Sequence, residues 1–308
     1  MFGGYHPHGS LRRLATDTTR PIGLIAGWGR FPVLVAQSLV ARRIPVCCVA
    51  IPDHADQHLE YLCDHVLWSG VGRMGSHIKY FRKLGVRQVT MAGKLFKADL
   101  LYRGSPWLRH TPDLECIRTF GPLLLSRQRN ARDDSLLTAV TQMYQRHSME
   151  VTSATDLAPE LLAAPGWLVG KNRSPRLEND IQFGWQIAKQ MGGLDIGQSI
   201  TVKDGAVLAV EAIEGTDACI RRTGELCRRG GWVLVKVAKP RQDMRFDVPT
   251  IGPQTVEMVR DAKGAAIAIE AGRTIIVDQR QTFAAAERAG IAIVSLREPR
   301  LDARTIAA

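Results

Sequence analysis

Ile22-Gly23-Leu24-Ile25-Ala26-Gly27-Trp28-Gly29-Arg30-Phe31-Pro32 sets a short apolar run against a glycine turn, and the apolar stretch from Val33 to Leu39 follows directly. The order reads as strand, tight turn and helix. The same alternation continues downstream. Val46 to Ile51 is a second apolar run ending at Pro52-Asp53, and Val66-Leu67 starts a third short extended piece that stops at Gly70. Ile78, Phe81 and Leu84 have helical spacing, Gly85 stops that helix, and Gln88 to Met91 supplies the next strand. Strands that alternate with helices imply a parallel sheet covered by helices.

After Ala92-Gly93-Lys94 the pattern is helical, through Asp113 to Phe120 and again from Asp134 to Arg146, with Asp133-Asp134 placed to cap the second helix. Val151-Thr152 adds a further strand before the Pro165-Gly166 break. These signals divide the chain into a first domain at residues 21–157, a linker at 158–168 and a second domain at 169–296, with tails at 1–20 and 297–308. In the second domain a helix is expected from Glu178 to Met191, and strands at Ser199 to Val202, Ala206 to Val210 and Trp232 to Val237. Lys203-Asp204-Gly205 gives a hairpin signal, because Asp-Gly accepts the positive backbone angles of a tight turn. Residues 216–229 and 255–262 read as helices, and the remaining runs to Val294 complete a mixed α/β domain.

Composition limits the classes of function. The 308 residues are 45% hydrophobic and 23% charged, which excludes wholesale disorder and a membrane-embedded bundle. No run approaches the roughly 18 apolar residues of a spanning helix. The formal charge of +11 and a pI near 9.7 point either to an anionic partner (phosphates or an acidic membrane surface) or to a solvated basic surface. No nucleic-acid reader motif accompanies that charge. The six cysteines form no C-x-x-C pair, which fits a reduced cytosolic protein with Cys47 and Cys48 as core residues. The eight histidines form no H-E-x-x-H, and none lies in the second domain.

Four stretches can carry chemistry. Gly27-x-Gly29 resembles the start of a dinucleotide fingerprint, in which missing side chains let amides approach phosphate, and Asp53 follows the second strand where a ribose ligand would lie; its alternative role is to cap a loop. Lys94, after Gly93, offers an ammonium at the carboxyl end of a strand, as a phosphate contact or a solvated lysine. Glu211-Ala212-Ile213-Glu214-Gly215-Thr216-Asp217 joins a strand to a helix and can hold Mg²⁺ or phosphate, or can simply cap the helix. The proline-punctuated stretch from Lys236 to Pro253 places Lys236 and Arg245 where they can neutralise a pyrophosphate, with Asp243 or Asp247 to hold a metal or orient water. Its alternative is a solvated charged loop.

Taken together, Gly23 to Pro32, Met91-Ala92-Gly93-Lys94, Asp133 to Leu137, Gly197-Gln198-Ser199 with Val202 to Gly205, Glu211 to Asp217, Val235 to Pro240 and Arg245 to Gly252 resemble the LpxI-type UDP-2,3-diacylglucosamine pyrophosphatases. Trp28 and Arg241 depart from the pattern. The resemblance implies an amino-terminal Rossmann-like domain, a distinct carboxy-terminal α/β domain and an active site between them. It further implies Mg²⁺-dependent hydrolysis of an acylated UDP-sugar to UMP and 2,3-diacylglucosamine 1-phosphate, on the lipid A pathway. Asp247 becomes the first catalytic candidate, with Asp217 beside it, and Asp247 with Glu214 the metal candidates. Gly27, Gly29, Lys94, Thr216, Lys236, Lys239 and Arg245 are the substrate-binding candidates. Trp28, Phe31, Trp107, Trp167 and Phe246 either line an apolar groove for acyl chains or sit in the core. A homodimer, peripheral at the cytoplasmic face of the inner membrane, is the expected state. The competing classes are a nucleotide-cofactor oxidoreductase built on Gly27-x-Gly29, and a non-catalytic binder of an anionic lipid or nucleotide.

Overall fold

The computed structural model describes residues 20–94, 111–125, 133–170, 173–240 and 242–297. Trp107, Arg241 and almost all of both expected tails lie outside the described residues. The first half is a five-stranded, all-parallel sheet in the order β3-β2-β1-β4-β5, with β1 at Ile22–Ala26, β2 at Val46–Ala50, β3 at His65–Trp68, β4 at Gln88–Ala92 and β5 at Glu150–Val151. Between them run α1 (Phe31–Ala41), α2 (Leu59–Leu62), α3 (Met74–Lys83), α4 (Leu114–Leu125) and α5 (Asp133–Arg146). A short α6 (Ala154–Leu157) follows β5. The sequence Val46-Cys47-Cys48-Val49-Ala50 is buried throughout, because a parallel strand covered on both faces needs an uninterrupted apolar run. Leu24, Cys48 and Ala50 face a core with α1, whereas Cys47, Val49 and Ile51 face one with Phe81, Met143 and Tyr144. All six cysteines are free, and burial pushes the Cys47 thiol up to about 11, the behaviour of a core residue.

The second half is a six-stranded mixed sheet in the order β6-β13-β11-β9-β7-β8. Its strands are β6 (Gly166–Val169), β7 (Ser199–Lys203), β8 (Ala206–Val210), β9 (Val233–Lys236), β11 (Ala266–Glu270) and β13 (Ala292–Leu296), and a separate parallel pair joins β10 (Thr250–Ile251) to β12 (Ile275–Ile276). The segment expected to be a linker therefore runs into β6, which pairs antiparallel with β13. The helices are α7 (Pro175–Gly193), α8 (Thr216–Leu226), α9 (Pro253–Asp261) and α10 (Gln279–Ala289). The first of these starts three residues earlier than its apolar spacing suggests, because the Ser174 hydroxyl caps it and Pro175 occupies the first turn. Asp204 (φ 54°) and Gly205 (φ 70°) make the expected tight turn between β7 and β8. Alternate residues of each central strand face opposite layers: Val233 and Val235 pack with Ile181, Trp185 and Ala188 of α7, and Leu234 packs with Ile220, Val256 and Ala286 of the other helices.

Trp167 and Phe31 pack against the cores of their own halves. Among the described residues no helix is long and apolar enough to cross a membrane.

Candidate active site in the cleft between the two sheets

Four strand ends, those of β1, β4, β8 and β9, lie around one buried amine. On one side the turns after β1 and β4 zip together: Gly27 N–H donates to the Ala92 carbonyl at 2.9 Å, and Trp28 and Lys94 exchange backbone bonds at 2.8 and 3.0 Å. A β-carbon at Gly27 would stand 2.7 Å from the Lys94 carbonyl oxygen, so the missing side chain first serves this contact between turns. That amide, expected to face phosphate, is spent inside the protein. Gly29 is required for its conformation (φ 103°). The zipped turns present Lys94 to solvent beside Trp28, itself 46% exposed.

The other wall is built by the junction from β8 to α8. Gly215 (φ 85°) is the cap residue of α8 and has no side chain to cap it, and among the described residues no side chain accepts from the first amides of that helix. Next to it Lys236, the last residue of β9, is only 8% exposed. Its ammonium donates to the Thr216 hydroxyl at 3.1 Å, and Thr216 in turn donates to Glu211 Oε1 at 3.0 Å, with Ser199 Oγ 3.2 Å from the same hydroxyl. Glu211 is 7% exposed, and its Oε2 is buried without a partner among the described residues. Burial pushes the Lys236 ammonium below the ordinary lysine range; Glu211, Asp247 and Asp217 work against that shift and Lys94 adds to it. Charges from both halves of the chain thus act on one buried amine.

The loop after β9 supplies the third side. Asp243 organises it: its carbonyl accepts from Phe246 N–H and Asp247 N–H at 3.1 and 3.2 Å, and its carboxylate takes the Arg245 amide and guanidinium at 2.6–3.1 Å. Arg245 holds the Asp243 carboxyl well below the usual range. Asp247 is exposed, and its only side-chain bond among the described residues is from the Gln242 amide.

The structure therefore gathers Lys94, Thr216, Asp217, Lys236 and Asp247. It ties the other charged candidates elsewhere: Lys239 to Asp195 at 2.6 Å, Arg245 to Asp243, and Glu214 to Arg222 at 2.9 Å and to the Ala212 amide at 3.1 Å. Hydrogen bonds from its own loop and Arg222 hold the Glu214 carboxyl below its ordinary value. Glu211 and Ser199 complete the polar network, although neither stands out in the sequence, where Glu211 is one of two neighbouring carboxylates. Asp53 (φ 64°) lies apart, in a cleft of about 650 Å³ with Trp68, Ser69, Gly70 and Arg73. That wall carries a glycine pattern that the reading of motifs passed over, Gly70-x-Gly72-x-x-Gly75, at the entry to α3.

Cations beside an open helix start in a two-domain α/β protein are the elements with which proteins of this class bind phosphates. The chain matches the model of the LpxI N-terminal domain over residues 21–161 and that of the LpxI C-terminal domain over residues 164–294, and it belongs to the LpxI family. It is 32% identical over 284 residues to the UDP-2,3-diacylglucosamine pyrophosphatase LpxI of Caulobacter vibrioides, covering 90% of this chain and 98% of that relative.

Proposed function

We propose that this chain hydrolyses the pyrophosphate bond of UDP-2,3-diacylglucosamine to UMP and 2,3-diacylglucosamine 1-phosphate, a step of lipid A biosynthesis. The observation that carries this is Lys236: a buried ammonium whose one hydrogen-bond partner among the described residues is a neutral hydroxyl, at a helix start that no described side chain caps, is suited to receive an anion. A pyrophosphate spans the cleft with one phosphoryl group at Lys236 and the α8 amides and the other facing Lys94. Thr216 has one proton, which goes to Glu211, so its lone pair is held toward the ammonium. Asp247 accepts a proton from the attacking water, and Asp217 adds negative charge in the first turn of α8.

Mg²⁺ commonly takes one or two carboxylates with substrate phosphates and waters. The described residues hold no cluster of three His, Cys, Asp or Glu able to enclose a metal, so the fit is of the phosphate-sharing kind. Asp247 and the unpartnered Glu211 Oε2 suit it, whereas Glu214 would first have to leave Arg222. When bound, Mg²⁺ would disperse phosphoryl charge and make water more acidic. The +11 charge supports contact with an anionic bilayer, where such a substrate resides.

UMP release from UDP-2,3-diacylglucosamine, with Mg²⁺ and again after chelation, tests the reaction; no release with any divalent metal refutes it. Asp247→Ala is expected to lower kcat about a hundredfold or more with unchanged melting, since the loss falls on turnover. Asp243→Ala is expected to loosen the loop and cost stability as well. Wild-type kinetics in Asp247→Ala would remove its role.

A further inference from the structure

The carboxylate proposed to act on water belongs to the second half of the chain, yet the residues just before it are held by the first. Phe246 packs against the core cluster of Ile78, Phe81, Met143 and Tyr144, and among the described residues it is the one member of that cluster's surroundings from beyond residue 164. Two residues earlier, the Ser153 hydroxyl donates to the Met244 carbonyl at 2.8 Å. Ser153 is buried, and it also caps α6 by accepting from Thr155 N–H, so its own position is fixed. The guanidinium of Arg245 lies 5.3 Å from the centre of the Phe246 ring.

The two ends of the same loop are anchored in the second half. Ala238 N–H donates to the buried Glu270 carboxylate at 2.8 Å, which Lys189 neutralises at 2.8 Å, and the Pro249 carbonyl accepts from Ile275 N–H at 2.8 Å. The Asp247 side chain is exposed, and among the described residues only the Gln242 amide bonds it, so it has little of its own to fix it. Resting on the pyrophosphatase reading, we propose that Phe246 is a positioning residue: seated in the amino-terminal core, with Met244 pinned by Ser153, it places the Asp247 carboxylate opposite Lys236 and Lys94, so that the site is complete only while the two halves are joined through this side chain. This gives Phe246 a role different from lining a groove for acyl chains, and the two roles separate kinetically. A positioning residue alters the rate of the bound substrate, and a groove residue alters its binding.

The test compares Phe246→Ala, Phe246→Leu and Ser153→Ala in the full chain, measuring kcat and KM for UMP release beside thermal melting. In Phe246→Ala, kcat is expected to fall about thirtyfold, the scale of a catalytic group displaced by somewhat under 1 Å, with KM within about threefold of wild type. Phe246→Leu, which refills the pocket, recovers most of that rate, and Ser153→Ala loses about three- to tenfold in kcat. Unchanged kcat in Phe246→Ala overturns the proposal, as does a rise in KM with kcat intact, which would make Phe246 part of the acyl groove. If Phe246→Ala does not fold, the other two variants decide, and wild-type kcat in Ser153→Ala then counts against it. A wild-type protein that releases no UMP fails the pyrophosphatase reading instead, whereas an active wild type with an equally active Phe246→Ala fails this inference alone.

Discussion

Two helices begin at the carboxyl ends of strands beside glycines, α3 after β3 and α8 after β8, and they have opposite fates. At α3 the turn Gly70-x-Gly72-x-x-Gly75 has the spacing of a phosphate loop, but the amides of Gly75 and Ser76 are already used. One carboxylate oxygen of Asp113 accepts from Gly75 N–H at 2.7 Å and Ser76 N–H at 3.3 Å, and the other takes Cys116 N–H at 3.0 Å. A single side chain thus fills the anion position of α3 and caps α4. At α8 no glycine fingerprint exists, no side chain among the described residues caps the helix, and a buried ammonium stands beside it. What makes a helix start available for a ligand is the account of its amides, and the spacing of glycines does not give that account. The nearby bases differ in the same sense. His77 on α3 is buried and pushed down to about 4 by that burial, a neutral core residue, whereas Lys236 faces the carboxylates of Glu211, Asp247 and Asp217 from its own half of the chain and the like charge of Lys94 from the other.

The comparison is most easily broken at Lys236. If the open helix start and this ammonium form the phosphate site, Lys236→Met is expected to cost about a hundred- to a thousandfold in kcat/KM, the usual loss when a preorganised donor to developing charge is removed. Isothermal titration with UMP gives the matching loss in binding. Retention of wild-type kcat/KM would move the phosphates elsewhere, and the turn at Gly70 would then have to be reconsidered.

Asp113 sharpens the contrast from the other side. Asp113→Ala uncovers the α3 amides and removes caps from two helices, so stability is expected to fall by about 1–2 kcal/mol in chemical denaturation. The kinetic constants of the folded enzyme should stay within about twofold, because a plugged helix start has no part in binding. A clear change in KM for the UDP-sugar would make α3 part of the substrate site after all.

Much of the fold is legible because the central strands are continuous apolar runs bounded by glycine or proline, as in Ile22–Ala26, Val46–Ala50 and Val233–Lys236. β6 is not, since Gly166-Trp167-Leu168-Val169 follows directly on a Pro-Gly break and finds its partner, β13, more than a hundred residues later. The site is legible as a set of charged loops, which brought Lys94, Lys236 and Asp247 forward. Which charges are already neutralised is a property of three-dimensional pairing: Arg245 turns back on Asp243, and Lys239 reaches Asp195, 44 positions away. Glycine counting misled at Gly27 for a related reason, because the space it leaves is filled by another turn of the same protein.

The smallest effect expected is at Glu214, and it separates two carboxylates three positions apart. From the sequence either can serve the site, and Glu214 is the one that a strand-to-helix junction puts forward as a metal ligand. In the structure Glu214 is exposed, paired with Arg222 and bonded to its own loop, and it is absent from the charges that bear on Lys236. Glu211 is buried, takes the Thr216 proton and keeps one oxygen without a partner. Glu214→Gln is therefore expected to change kcat/KM by less than about threefold, in keeping with a solvent-screened ion pair. Glu211→Gln keeps an oxygen for Thr216 but removes the charge beside the buried ammonium, and a loss of about tenfold is expected. Raising Mg²⁺ should leave the small Glu214→Gln effect unchanged. If Glu214→Gln is the more damaging variant, and excess Mg²⁺ restores it, then Glu214 leaves Arg222 to hold the metal and Glu211 serves only to orient Thr216.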